Sequence, residues 1–203
     1  MRSGSLDLFI RVLSLALILA CGGNIAYRTW RSPSGEPSVP QVRPDMPALI
    51  QLPAGQLPGV WQWIIVHHSG TTGSSYEEIR IAFWKLGYSE VPFHFLIRPE
   101  GVVLVTSAWQ QQVGCPQTNE EAVNRSAIGI CVIGDFDQPE SRPTPAQMES
   151  LTRLSTILMQ SFGIRRRYVW PGVDIDPVDH PQTRFPWKSF LAGLPRESVP
   201  GRK

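Results

Sequence analysis

The sequence predicts a three-layer α/β domain on a central mixed β-sheet flanked by helices, and three stretches carry that expectation. Trp61-Gln62-Trp63-Ile64-Ile65-Val66-His67-His68-Ser69 is an apolar run closed by Gly70-Thr71-Thr72-Gly73, the pattern of a buried central strand. Phe93-His94-Phe95-Leu96-Ile97 and Val102-Val103-Leu104-Val105, joined across Pro99-Glu100-Gly101, read as an antiparallel hairpin. Thr144-Pro145-Ala146-Gln147 combines an N-cap, a first-turn proline and a box-closing glutamine. Met148, Leu151, Leu154, Leu158 and Phe162 then give one long apolar helix face, ended by Gly163.

Taken in order, residues 1–21 read as an export signal. Arg2 and Arg11 precede the short apolar core Val12–Ala20, which is short for a membrane span. Ile18-Leu19-Ala20-Cys21-Gly22 resembles the lipobox of bacterial lipoproteins, which would make Cys21 the lipidated residue. The alternative is an uncleaved anchor running on through Tyr27. Either places the rest of the chain in the cell envelope, membrane-anchored through its N-terminus. Residues 22–58, dense in proline from residue 28 on, read as a semi-extended linker. The folded domain spans 59–192 and a tail covers 193–203.

Within the domain, Ser75-Tyr76-Glu77-Glu78 is a capped helix start, with Ile79, Phe83 and Leu86 on one face and Gly87 at the end. Gln110 to Asn124 reads as a polar excursion over the surface. Ala127 to Gly134 is a second buried strand, and Arg167 to Trp170 a short one. An acidic, proline-bearing loop leads to His180-Pro181, and a short helix lies near Pro186–Phe190.

The chain has 203 residues and a formal net charge of +2, with no basic block and no arginine–aromatic interleaving, so nucleic acid is excluded as a partner class. Its three cysteines, Cys21, Cys115 and Cys131, form no CxxC, and Cys131 sits in an apolar run where a buried thiol is expected. Seven tryptophans, several near strand ends, suit a groove that stacks on sugars or peptide, though tryptophan is also ordinary core material.

Side chains alternate along a strand, so His67 and His68 must face opposite ways at the strand end. Such an end is where ligands and metals collect in open α/β sheets. A strand-end pair satisfied by backbone and water is the plainer alternative. The motifs Ile65-Val66-His67-His68-Ser69, Phe93–Ile97 with Glu100-Gly101, Ser126–Phe136, Pro143–Met148 and His180-Pro181 occur in an order and spacing that resemble the zinc-dependent N-acetylmuramoyl-L-alanine amidases. That family includes phage amidase lysozymes and peptidoglycan recognition proteins, and the resemblance covers about residues 60 to 190.

The resemblance implies peptidoglycan or muramyl peptide as ligand. It also implies a zinc ion with three protein ligands and one open position, whose bound water attacks the lactyl–L-alanine amide. His67 matches the first ligand. The second falls within Val169–Ile175, where a histidine at or beside Gly172 is usual and none is present. At the third, His180 stands where cysteine or aspartate is usual. Phe93 replaces the usual tyrosine, and Val178 a usual lysine or threonine. Gly114-Cys115-Pro116 replaces a Gly-x-His segment. His68, Phe93 and Asn124 are expected to line the substrate groove, and His94 to face the core.

Three readings follow. The retained scaffold and eroded ligand set imply a catalytically impaired amidase domain that binds peptidoglycan. His67, His180 and one of Asp174, Asp176 or Asp179 could instead rebuild a His/His/carboxylate zinc site and an active amidase. A structural or partner-binding envelope lipoprotein is the reading from a different class.

Overall fold

A computed structural model of the chain describes residues 46–52, 54–71, 73, 75–172 and 185–196. The expected export signal with Cys21, most of the linker, and the loop holding Asp174, Asp176, Val178, Asp179 and His180 lie outside the described residues. No helix among the described residues is long and apolar enough to cross a membrane.

Five strands form one sheet: β1 (Trp63–His68), β2 (Phe95–Ile97), β3 (Val103–Val105), β4 (Ala127–Val132) and β5 (Val169–Pro171), in the order β3-β2-β4-β1-β5. β1 runs parallel to β4 and β5, β2 runs parallel to β4, and β3 alone is antiparallel, to β2. The middle strand is therefore β4, with β1 beside it. Both are almost continuously apolar because both are paired on two edges and covered on two faces.

The helices of the described residues are α1 (Met46–Leu49), α2 (Tyr76–Lys85), α3 (Ser107–Gln111), α4 (Glu121–Asn124), α5 (Pro145–Phe162) and α6 (Trp187–Gly193). α2 begins with a reciprocal box between Ser75 and Glu78, and α5 with one between Thr144 and Gln147. Gln147 does more than cap. Its Oε1 accepts from the Thr144 N–H at 3.0 Å, while its Nε2 donates to the Ile97 and Ile133 carbonyls at 3.1 and 2.8 Å. One buried amide thus ties the start of α5 to the ends of β2 and β4. Gly163, at φ 67°, closes α5 in the left-handed region that a side chain disfavours.

Strand alternation sorts the core into two. Ile64, Val66, Phe95, Ile97, Ile128, Ile130 and Val132 face α5 and α6, where Leu151, Leu154, Leu158 and Phe190 cover them. Leu96, Cys131 and Ile133 face the opposite way, with Ile79 of α2, Phe93 and Leu104 over them. This is the three-layer arrangement the sequence predicts.

Three boundaries differ from expectation. Met46 and Leu49, placed by composition in the linker, are buried in the α5-side core, as is Leu194 from the expected tail. Leu86 is exposed, because α2 stops at Lys85 and Leu86 is its C-cap. The segment 110–124 is not a plain surface excursion: it takes in α4 and buries Cys115 and Gln117.

Candidate functional site

The site is built at the C-terminal end of β1. His67 lies opposite Cys131 on the α2 face, and its ring packs against Phe93 at 5.2 Å and 51°. His68 lies on the other face, against Phe136 at 5.7 Å. The opposite orientation expected from alternation is what the strand shows.

His67 is 6% exposed. Burial first, and then the neighbouring His68, lower its pKa to about 3, while the Gly172 and Gln117 backbones pull weakly the other way. The ring is therefore a neutral imidazole at neutral pH. Its Nε2 is buried and has no hydrogen-bond partner, an uncommon state for a buried polar atom. Phe93, packed against the ring, has no hydroxyl, whereas a tyrosine at that position would carry one.

Gly172 follows β5, and its N–H donates to the Val66 carbonyl at 2.8 Å. This bond draws its Cα beneath the His67 ring, where an added Cβ would overlap the imidazole. No side chain fits at 172 while His67 keeps this position.

The family's zinc can be tested against these residues. The unpartnered His67 Nε2 is a suitable donor. Position 172, where a second imidazole is expected, offers no donor atom and no room for one. The other candidates, His180 and the three aspartates, lie outside the described residues. At the His67 site the described residues therefore give zinc one ligand of the three it needs.

On the opposite face, His68 Nε2 stands 3.4 Å from Asp137 Oδ2. Its Nδ1 lies 3.3 Å from the Gly70 N–H, 3.5 Å from the Phe136 N–H and 3.3 Å from the Gly134 carbonyl. His68, Asp135 and Asp137 bring their ligand atoms within 4.8 Å of one another, the one such group among the described residues. The sequence reading passed over both aspartates; the Asp-x-Asp spacing directly after a buried strand was the available signal. Its bonding ties the β1 end to the loop after β4, so His68 acts in part as a brace.

Asn124, expected in the groove, holds a loop together. Its Oδ1 accepts from the Gln117 and Thr118 N–H groups at 2.9 and 2.8 Å, and its Nδ2 donates to the Thr118 carbonyl at 2.8 Å. This fixes Gln117, whose buried amide donates to the Pro92 carbonyl and lies flat on Gly129 of β4. His94 faces inward as expected. Nδ1 accepts from the Gly129 N–H at 2.9 Å, so Nε2 carries the proton and donates to the Val113 carbonyl at 2.9 Å. Burial holds its pKa down to about 4. Cys115 and Cys131 are free thiols, both pushed up by burial, Cys115 to about 11, and hence protonated.

The site is thus a strand-end imidazole with a bare nitrogen, in a mixed sheet covered by α2 and α5. Residues 57–185 match the family model described as N-acetylmuramoyl-L-alanine amidase, and the chain belongs to that family. It is 34% identical over 97 residues to the endolysin of Klebsiella phage KP32, covering 45% of this chain and 62% of that endolysin's length. Among solved structures it resembles the N-acetylmuramoyl-L-alanine amidase LysC from Clostridium intestinale, with a TM-score of 0.56 and 26% identity over 66% of this chain and 85% of that one. The fold is shared also with peptidoglycan recognition protein-LE, solved in complex with tracheal cytotoxin, with a TM-score of 0.51 and 17% identity over 72% and 91% of the two chains.

Proposed function

We propose that this domain works at peptidoglycan by holding muramyl peptide in the groove at the end of β1, with the family's hydrolysis of the lactyl–L-alanine amide impaired. Membership in the amidase family supports the ligand class. The observation that carries the impairment is Gly172 lying under the His67 ring, where a second zinc ligand has neither donor nor space. One missing ligand costs several kcal/mol against the roughly 10–16 kcal/mol of a complete structural zinc site. Phe93 compounds the loss, having no hydroxyl to steady a developing oxyanion. An export signal or anchor in residues 1–21, with Cys21 as the lipidated residue, would deliver the domain to the envelope where its ligand is. The test is co-sedimentation with purified peptidoglycan beside an assay for released stem peptides. Binding without release is the expected result, and a domain that stays in the supernatant overturns it.

One observation favours a second reading, an active zinc amidase: His67 Nε2 is buried, neutral and unpartnered, the state of a ligand awaiting its metal. In that reading His67, His180 and one of Asp174, Asp176 or Asp179 hold zinc. Calorimetric titration with zinc decides it. Tight binding of one ion, abolished by both His67→Ala and His180→Ala and accompanied by zinc-dependent peptide release, establishes the active enzyme; no binding above background removes it.

A further inference from the structure

β1 carries a second cluster at its other end. The Trp63 ring meets Trp170 at 4.6 Å and 62° and Tyr168 at 4.6 Å and 72°. β5 is the edge strand among the described residues, and Trp170 is 45% exposed. Its indole N–H donates to the Arg167 carbonyl at 2.9 Å, which fixes the ring before anything binds. The Arg167 guanidinium lies 4.9 Å over the Tyr168 ring. Beside Trp63 and Tyr168 is a cavity of about 300 Å³ lined by Trp61, Gln62, Trp63, Arg165 and Tyr168 together with residues 162–164 at the end of α5, at the small end of ligand clefts. Arg165, Arg166 and Arg167 are consecutive, and no carboxylate among the described residues pairs with Arg165 or Arg166.

The sheet aligns this cluster with the candidate site. Ile65 pairs with Trp170 in parallel register, so Trp63, Ile65 and His67 of β1 share one face with Trp170 and Gly172. Trp63 and His67 are four residues apart on one strand, roughly 13 Å at about 3.3 Å per residue. Ile65, between them, is fully buried, so the Trp63 cluster is a site separate from the His67 end of the strand.

We propose that the Trp63–Tyr168–Trp170 platform with Arg165 is a saccharide-binding site for peptide-stripped glycan, an N-acetylated amino-sugar strand bearing free lactyl carboxylates. The proposal deepens the peptidoglycan reading above and rests on it for the ligand class. The chemistry picks out the stripped strand. Hydrolysis of the lactyl amide adds water across the C–N bond, leaving a carboxylate on the sugar and an amine on the departing peptide. Sugar rings present C–H faces to indole and phenol rings while their hydroxyls reach Gln62 and Arg165. Each exposed carboxylate is a partner for a guanidinium. An anionic lipid surface would share the charge preference, but the concave and partly polar lining fits a sugar better than an inserted acyl chain.

The full chain is titrated with soluble glycan strands freed of peptide, with a muramyl tripeptide, and with phosphatidylglycerol vesicles. Wild type is compared with Trp170→Ala and Arg165→Glu, both exposed positions, with circular dichroism confirming the fold. Each substitution is expected to weaken strand binding at least 10-fold, with muramyl tripeptide binding unchanged within 2-fold. Equal strand affinity in all three proteins overturns the platform, as does vesicle binding that the substitutions abolish without any strand binding. Tripeptide bound without strands would leave the groove reading standing and sink the platform alone. Strands bound without tripeptide would do the reverse.

Discussion

His94 and His67 are both buried imidazoles with depressed pKa values, yet they do opposite things. Around His94 every polar atom is accounted for. Both ring nitrogens hold backbone groups from separate segments, and the ring sits edge-on to Trp61 at 4.9 Å and 77°. Around His67, Nε2 is left bare and the neighbouring backbone is a glycine drawn under the ring. Burial and pKa do not separate mortar from site here. Hydrogen-bond satisfaction does.

The largest effect expected from breaking this comparison is on stability. His94→Ala strands the Gly129 N–H and the Val113 carbonyl and opens a cavity, and should cost about 4 kcal/mol in urea unfolding. His67→Ala also empties buried space but strands no partner at Nε2, and should cost less, about 2 kcal/mol. Equal losses would erase the distinction.

The two glycines under side chains sharpen it. A Cβ at Gly129 would overlap Gln117, whose amide is held by Pro92 and cannot yield, so Gly129→Ala should cost about 3 kcal/mol. A Cβ at Gly172 would overlap an imidazole whose Nε2 nothing restrains, so Gly172→Ala should cost only about 1–2 kcal/mol. In a His67→Ala background that cost should fall to nearly zero. A double-mutant cycle measures the coupling directly, and additivity would refute the apposition.

Acid provides an intermediate effect, ranking between the two glycine substitutions. The folded pKa of His94, about 4, lies below its ordinary 6.5, so the unfolded chain binds a proton that the folded chain excludes. The stabilisation is complete above pH 6.5 and is lost as pH falls toward 4. Unfolding free energy should drop by about 2 kcal/mol from His94 alone between pH 7 and pH 5. His94→Asn should remove that share of the slope and leave the share from buried His67, and an unchanged slope would mean the His94 ring is not buried neutral.

Much of this was legible in the chain. Both capping boxes were readable because their partners lie within four residues and need no tertiary contact. The strands were readable because a residue covered on both faces must be apolar whatever covers it. The resemblance placed His67 at a strand end and marked the missing imidazole near Gly172. The inward turn within the 110–124 segment was not legible, because polar composition does not reveal which amides hold a loop, as those of Gln117 and Asn124 do.

By itself the sequence determined the five strands, the helices α2, α5 and α6, and the family, but not α1, α3 or α4. Periodicity reports which side of a strand is buried, and local hydrogen bonds fix where helices start. Only the tertiary structure decided that β5 runs beside β1, laying Gly172 under His67 and Trp170 against Trp63. It also drew Met46, Leu49 and Leu194 into the core from segments whose composition reads as linker and tail. Strand order and burial at the chain's margins are settled by packing between residues far apart in sequence, and no local pattern encodes which neighbour a face will meet.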